Sequence, residues 1–173
     1  MRWAIFLRAV NVGGTGKLPM AELRRALEAA GAQDVATYVQ SGNVVLDHPA
    51  EDAARMAAWT GDTVEAAFGF RPGAMAVSAD QLDTALQAHP WTGGEAKHVH
   101  FVFFTGAVDP AGPGKLADWC TNGEEMELGR HALYLHTPGG LGVSRLNGKI
   151  DRALGVETTT RNLNTVRKVR AMM

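Results

Sequence analysis

The chain has a single cysteine, Cys120, and no apolar run that reaches the roughly 20 residues of a membrane-spanning helix. One cysteine cannot form an intramolecular disulfide, and it leaves a zinc site without its usual thiolates. The residues after Met1 enter a strand pattern directly, without the regions of a signal peptide. We therefore expect a cytoplasmic protein with no membrane partner, no structural metal and no cofactor.

The chain also has no large excess of positive or negative charge, because its formal net charge is −1 over 173 residues. This balance argues against a general coat for nucleic acid. The charge is unevenly distributed, since residues 145–173 contain seven basic and two acidic residues, which gives this segment +5 and the first 144 residues −6. A solvated helix face explains such a bias, and an anion-facing surface is the functional alternative.

Strand-like and helix-like segments follow the order β-α-β-β-α-β-α twice along the chain. This order predicts an α+β fold of two ferredoxin-like-type βαββαβ subdomains with mixed or antiparallel sheets. We place an N-terminal α+β subdomain over 1–90 and a C-terminal α+β subdomain over 91–173. In the second half, the pattern predicts a helix over about 144–154 and a last helix capped by Asn162.

Three motifs carry a resemblance to a known family. They are residues 8–14 (Arg-Ala-Val-Asn-Val-Gly-Gly) with Lys17, residues 38–44 (Tyr-Val-Gln-Ser-Gly-Asn-Val) and residues 158–166 (Thr-Thr-Thr-Arg-Asn-Leu-Asn-Thr-Val). On these motifs the whole chain resembles the bacterial domain-of-unknown-function family 1697 (DUF1697). The resemblance implies two α+β subdomains packed together. It implies no biochemical activity, so whether the chain is an enzyme stays open.

The first candidate site is the glycine-rich loop that follows the first strand. Asn11, Gly13, Gly14 and Lys17 lie in it, and such a loop can bring backbone N–H groups to an anion with a Lys beside it. Asn11 and Leu18 replace the leading glycine and the hydroxyl residue of a P-loop, which excludes an ordinary nucleoside-triphosphate site. The structural alternative is that the glycines only supply positive φ for a tight crossing.

The second candidate is the turn of Ser41, Gly42 and Asn43. Turn chemistry alone explains glycine and asparagine there. The functional alternative is that Ser41 and Asn43 face the first loop at a common rim of the sheet.

The third candidate is the C-terminal motif. If the last helix begins at Asn162, then Arg161, Asn164 and Lys168 share a face. A helix N-terminus beside an arginine suits a phosphate or carboxylate, whereas the structural alternative has Asn162 only as a cap. We expect this helix start and the glycine-rich loop to form one anion-binding cleft with Lys17.

No complete catalytic arrangement can be assigned, and His98 and His100 lack an acidic or cysteine partner nearby in sequence. The leading interpretation is binding of a small phosphorylated or carboxylated ligand in a cleft near the glycine-rich loop. An RNA- or DNA-binding module that uses the basic C-terminal helices and a dimeric interaction or scaffold protein are the alternatives, and the oligomeric state stays open. The predicted ligand-binding residues are Arg8, Asn11, Gly13, Gly14, Lys17, Ser41, Asn43, Arg161, Asn162, Asn164 and Lys168.

Overall fold

The order of strands and helices repeats along the chain, and the computed structural model describes all 173 residues. The chain forms two compact units: unit 1 comprises residues 1–82 and 168–173, and unit 2 comprises residues 83–167. Each unit holds one four-stranded sheet in which every strand pair is antiparallel, so the predicted α+β class is confirmed. The boundary expected at residue 90 stays a prediction.

The sheet of unit 1 has the strand order β2-β3-β1-β4. Its strands are β1 (Arg2–Leu7), β2 (Gln33–Tyr38), β3 (Asn43–Asp47) and β4 (Ala74–Ser78). The helices are α1 (Met20–Ala29), α2 (Ala53–Phe68) and α3 (Ala79–Ala88), of which α3 crosses the boundary between the units. Leu23 and Leu27 of α1 and Met56 of α2 are fully buried in one apolar cluster with Ile5 and Leu46 of the sheet. Burying side chains of this size contributes roughly 1.5–3 kcal/mol each, which fixes both helices on that face.

Unit 2 repeats this topology with the strand order β6-β7-β5-β8. Its strands are β5 (Val99–Phe104), β6 (Glu125–Leu128), β7 (Leu133–His136) and β8 (Thr158–Asn162). The helices are α4 (Gly112–Ala117), α5 (Ile150–Leu154) and α6 (Leu163–Ala171), of which α6 also crosses the boundary. Val102 and Leu135 of the sheet pack with Leu116 of α4 and Leu154 of α5. None of the helices in either unit combines the length and the apolarity that crossing a bilayer requires.

Local sequence signals place the ends of the strands and helices. The Ser78 hydroxyl accepts from the Gln81 N–H at 3.3 Å, and the Ser78 N–H donates to the Gln81 side chain at 3.0 Å, which is the capping box before α3. The Asn162 side chain accepts from the Thr165 N–H at 3.0 Å and caps α6. Both helices therefore begin directly after the last strand of a sheet.

The helix expected over 144–154 is much shorter in the structure, where α5 covers only Ile150–Leu154. Gly148 has a φ of +76°, in the left-handed region that a continuous right-handed helix does not allow. Residues before it form a short 3-10 segment and turns. Arg145 therefore lies outside the helix and does not share a helical face with Lys149 and Arg152.

Gly42 is the point of closest approach between the β2–β3 turn and the strand end of β1. It has a φ of +78°, and a Cβ there would lie 2.6 Å from Val10 Cγ2 and 2.7 Å from Leu7 Cβ. Gly13 also has a positive φ, of +61°, but a Cβ there would meet nothing within 4 Å.

We expect Gly42→Ala to destabilise the protein more than Gly13→Ala. Both substitutions force alanine into the left-handed region at a cost of about 1–2 kcal/mol, and only Gly42→Ala adds a collision with a packed core, at a further ~1–3 kcal/mol. Urea unfolding of the two variants measures the difference. Equal destabilisation would show that the core moves aside without cost.

His100 is a buried histidine in the central strand of unit 2. It is 9% exposed, and its Nε2 has no hydrogen-bond partner. Burial, with smaller contributions from the charges of His98 and His136, lowers the pKa of His100 from 6.5 to about 4. The folded chain therefore holds this imidazole neutral at a pH where the unfolded chain protonates it.

Because the folded pKa is depressed, His100 stabilises the protein fully above about pH 6.5, and this contribution is lost as the pH falls towards 4. Between about pH 7 and pH 5, the wild type should lose about 2 kcal/mol more than a His100→Leu variant. Urea unfolding at the two pH values measures both losses, and parallel losses would contradict the buried neutral state.

Candidate functional site

The glycine-rich loop is a small hairpin. Val12 pairs with Thr15 in an antiparallel bridge, and the Asn11 N–H donates to the Gly16 carbonyl at 2.9 Å. Gly13 and Gly14, with φ values of +61° and +78°, occupy the two turn positions, as a type I′ turn requires. Both glycines are therefore explained by the turn, which projects into open space.

The Asn11 side chain holds this loop in place. Its Nδ2 donates to the Leu18 carbonyl at 2.9 Å and to the Gln40 carbonyl at 2.7 Å, and its Oδ1 accepts from the Leu18 N–H at 2.8 Å. These three bonds connect the start of the loop to its end and to the β2–β3 turn. Asn11 is thus a structural tie between the first and second candidate segments.

The β2–β3 turn is organised by Asn43, which is fully buried. Its Nδ2 donates to the Tyr38 carbonyl at 2.9 Å and to the Ser41 hydroxyl at 3.0 Å. The Leu7 N–H donates to the Gly42 carbonyl at 2.8 Å. The structure thus brings the glycine-rich loop and the second candidate turn together at one end of the unit 1 sheet.

The backbone at this end is strained. Ala9, Asn11 and Val39 have φ values of +53°, +55° and +52°, which are unfavourable for residues with a Cβ and most of all for β-branched valine. Such positions cost of order 1–3 kcal/mol each and persist only when neighbouring contacts hold them. The Asn11 bonds are contacts of this kind.

Two predicted residues bring positive charge to this end. Lys17 is exposed and forms no ion pair or hydrogen bond. Arg8 is partly buried, and its backbone N–H donates to the Gly73 carbonyl at 2.8 Å. Of the two predicted cations of unit 1, Lys17 is therefore the more accessible to a ligand.

In unit 2, Arg161 lies in β8 and not in the last helix. Its Nη1 donates to the Thr159 hydroxyl at 2.8 Å and to the Thr160 carbonyl at 2.9 Å. Burial lowers the pKa of the Arg161 guanidinium to about 10. Asn164 and Lys168 are exposed on α6, whereas Arg161 is partly buried in β8.

The equivalent position in unit 1 holds no charge. The capping residues Ser78 and Asn162 pair with Trp3 and His100, which aligns the two sheets residue by residue. In that alignment Arg161, paired with Phe101, corresponds to Val77, paired with Ala4. A valine thus satisfies the fold at the position where unit 2 has a partly buried arginine.

Sequence reasoning missed Thr159 as a partner of Arg161. The two residues are separated by one position in a strand, and this spacing places their side chains on the same face. The signal was therefore present in the β-branched run, once the strand is extended to Asn162. No group of three or more His, Cys, Asp or Glu side chains is arranged to hold a metal ion. The expectation that Lys17 and Arg161 share one cleft stays a prediction.

We expect Asn11→Ala to destabilise unit 1 by about 2–4 kcal/mol, because three hydrogen bonds at roughly 1 kcal/mol each are lost and alanine tolerates the positive φ less well. Thr15→Ala is the matched control, since its hydroxyl makes one exposed bond, to the Val12 carbonyl at 3.1 Å. Urea unfolding checks both variants. An Asn11→Ala variant as stable as the control would mean that the side chain serves something other than the fold.

Comparison with known proteins places this architecture in a family. A family model described as "Protein of unknown function (DUF1697)" matches residues 1–134. A solved structure, described as conserved bacterial protein SP0830 from Streptococcus pneumoniae, is similar with a TM-score of 0.79 and 21% identity, over 99% of this chain and 97% of that chain. No curated protein matches the sequence. The similar structure supports the fold alone, whereas the family match spans well over half of the sequence and includes the first two motifs, and the chain belongs to the DUF1697 family.

Proposed function

We propose that the protein binds a small phosphorylated or carboxylated molecule and that Arg161 is the main anion-binding residue. The observation that carries this proposal is the partly buried, desolvated guanidinium of Arg161 at a register position where the equivalent residue of unit 1 is Val77. The proposal includes a cytoplasmic location, which the single cysteine supports. The strand order of each unit supports the ferredoxin-like type of βαββαβ subdomain.

A buried cation is costly for the fold. Moving a charge out of water carries a penalty of several kcal/mol, which lowers the pKa of the guanidinium and must be offset by bonds to that charge. The Thr159 hydroxyl and the Thr160 carbonyl each accept one such bond. A phosphate or carboxylate ligand adds negative charge, and hydrogen bonds between ionised partners are roughly twice as strong as neutral ones.

Arginine also suits the proposed ligand class by its shape. The planar guanidinium presents two parallel N–H groups that match two oxygens of a carboxylate or phosphate. The Thr159 hydroxyl, which accepts from Arg161, holds the guanidinium in place. Lys17 is the second cation of the proposal, because it is exposed and unpaired.

The structure offers less support for base stacking on a sheet. Single-stranded RNA readers of this type stack bases on exposed aromatic side chains. Phe101, Phe103 and Tyr134 lie on one sheet face of unit 2, and each is at most 1% exposed. Rings buried in this way have no surface to offer a base, which favours the small anion over the nucleic acid.

We expect a panel of anions, including inorganic phosphate, pyrophosphate, sugar phosphates and dicarboxylates, to contain at least one that raises the melting temperature. A ligand at about 100 times its Kd stabilises by about 2.7 kcal/mol, which for a chain of this size is roughly 5–10 °C. Arg161→Gln should abolish this shift, and Arg161→Lys should retain part of it, because the charge remains without the planar fork.

Arg145→Gln is the matched control, since Arg145 is exposed and lies outside the helices. It should leave the ligand-induced shift unchanged. Each shift is measured against the same variant without ligand, so a change in basal stability does not enter the comparison. No stabilising anion in the panel, or an undiminished shift in Arg161→Gln, would reject the proposal.

A further inference from the structure

A second binding site lies on the helical side of unit 2, and we infer that it takes a small anion carried on a planar ring. The site is a pocket of ≈ 460 Å³ between α4 and α5, lined by Lys115, Asp118, Trp119, Arg152 and Ala153. Its size falls within the range of small-molecule sites, roughly 300–1,000 Å³. It is independent of Arg161 and Lys17, which do not line it.

Close packing of the two helices forms one end of this pocket. A Cβ on Gly112 would lie 2.6 Å from the Ala153 carbonyl oxygen and 3.0 Å from Leu154 Cα, so the backbones of α4 and α5 touch there. Lys115 lies three residues after Gly112 on the same face of α4, and Trp119 follows in the turn after the helix. The pocket therefore lies next to a place where the backbones of α4 and α5 are in contact, and its shape follows from the packing of these two helices.

The aromatic wall carries a positioned cation. Lys149 Nζ lies 4.8 Å from the centroid of the Trp119 ring, within the range of a cation–π interaction. Trp119 packs on its inner side against the apolar cluster of unit 2. In the inferred complex, the planar part of the ligand stacks on the Trp119 ring, and its negative group lies near the Lys149 ammonium.

Arg152 supplies the unpaired charge of the pocket. It is exposed and forms no ion pair, whereas Lys115 is paired with Asp109 at 2.8 Å. Arg152 lines the pocket directly, and Lys149 lies at the Trp119 ring that forms its wall. An arginine beside a lysine favours a phosphate or carboxylate over a neutral ligand.

Asp118 gives the pocket a further preference. Its carboxylate lines the same space and accepts hydrogen bonds, but it repels a ligand with negative charge spread over its whole surface. The combination therefore selects a molecule with one anionic group, a planar ring and an N–H or O–H donor. Nucleoside monophosphates and aromatic carboxylates with a ring hydroxyl or amino group have this chemistry.

The experiment follows the indole N–H signal of Trp119 by NMR during titration, with the signal assigned by Trp119→Phe. The probes are adenosine 5′-monophosphate and 4-hydroxybenzoate. Adenosine and inorganic phosphate are the separated parts of the first probe, and phenol and acetate are those of the second. We expect a saturable shift of this signal with at least one of the two intact probes. Each part alone should bind at least about ten times more weakly than the corresponding intact probe, because it lacks either the ring or the charge.

Arg152→Gln should weaken the intact probe at least about tenfold, whereas Arg145→Gln should leave its affinity unchanged. Arg152 is exposed, so this variant tests binding without disturbing the core. Arg161→Gln should also bind normally, which separates this site from the proposed function. A silent Trp119 signal with both probes, equal affinity for adenosine, or full affinity in Arg152→Gln would each overturn the inference.

Discussion

Each sheet is organised by a central strand that is hydrogen-bonded on both edges and buried on both faces. β1 pairs with β3 and β4, and β5 pairs with β7 and β8, in the same antiparallel manner. A strand in this position must be apolar at successive residues, because neither face reaches water. Residues 3–7 satisfy this constraint fully, and residues 99–103 satisfy it except at His100. Polar chemistry is thereby displaced to strand ends, to loops and to the outer strand β8.

The family motifs lie in such loops and strand ends and in β8. Several of their polar side chains form hydrogen bonds with backbone groups. Asn11 ties the glycine-rich loop to the β2–β3 turn, Asn43 closes that turn, and Asn162 caps α6. Side-chain amides suit such positions because they both donate and accept. The hydrogen bonds give structural roles to the asparagines, and the proposed function gives ligand chemistry to Arg161 and Lys17.

Much of the fold could be predicted because its signals are local. The capping box at Ser78, the asparagine cap at residue 162 and the hairpin glycines each act over a few residues, and the repeated order of strands and helices follows from them. The helix expected over 144–154 was wrong because Gly148 adopts a positive φ, which the apolar spacing of that segment does not reveal. The position of Arg161 was also misjudged, since β8 continues through Asn162 before α6 begins. Whether a residue next to a cap is extended or helical depends on strand pairing, and pairing is decided by distant residues.

The two units differ in chemistry more than in architecture. The same register that gives unit 1 Trp3 and Val77 gives unit 2 His100 and Arg161. An apolar pair therefore suffices for this topology, and both polar replacements carry a cost, since burial lowers the pKa of each. A neutral buried imidazole and a desolvated guanidinium are retained in one unit and absent from the equivalent positions of the other. The topology itself requires neither polar residue, because an apolar pair occupies the equivalent register in the same chain. In the proposed function, the negative charge of the ligand adds to the bonds that Arg161 makes with Thr159 and Thr160.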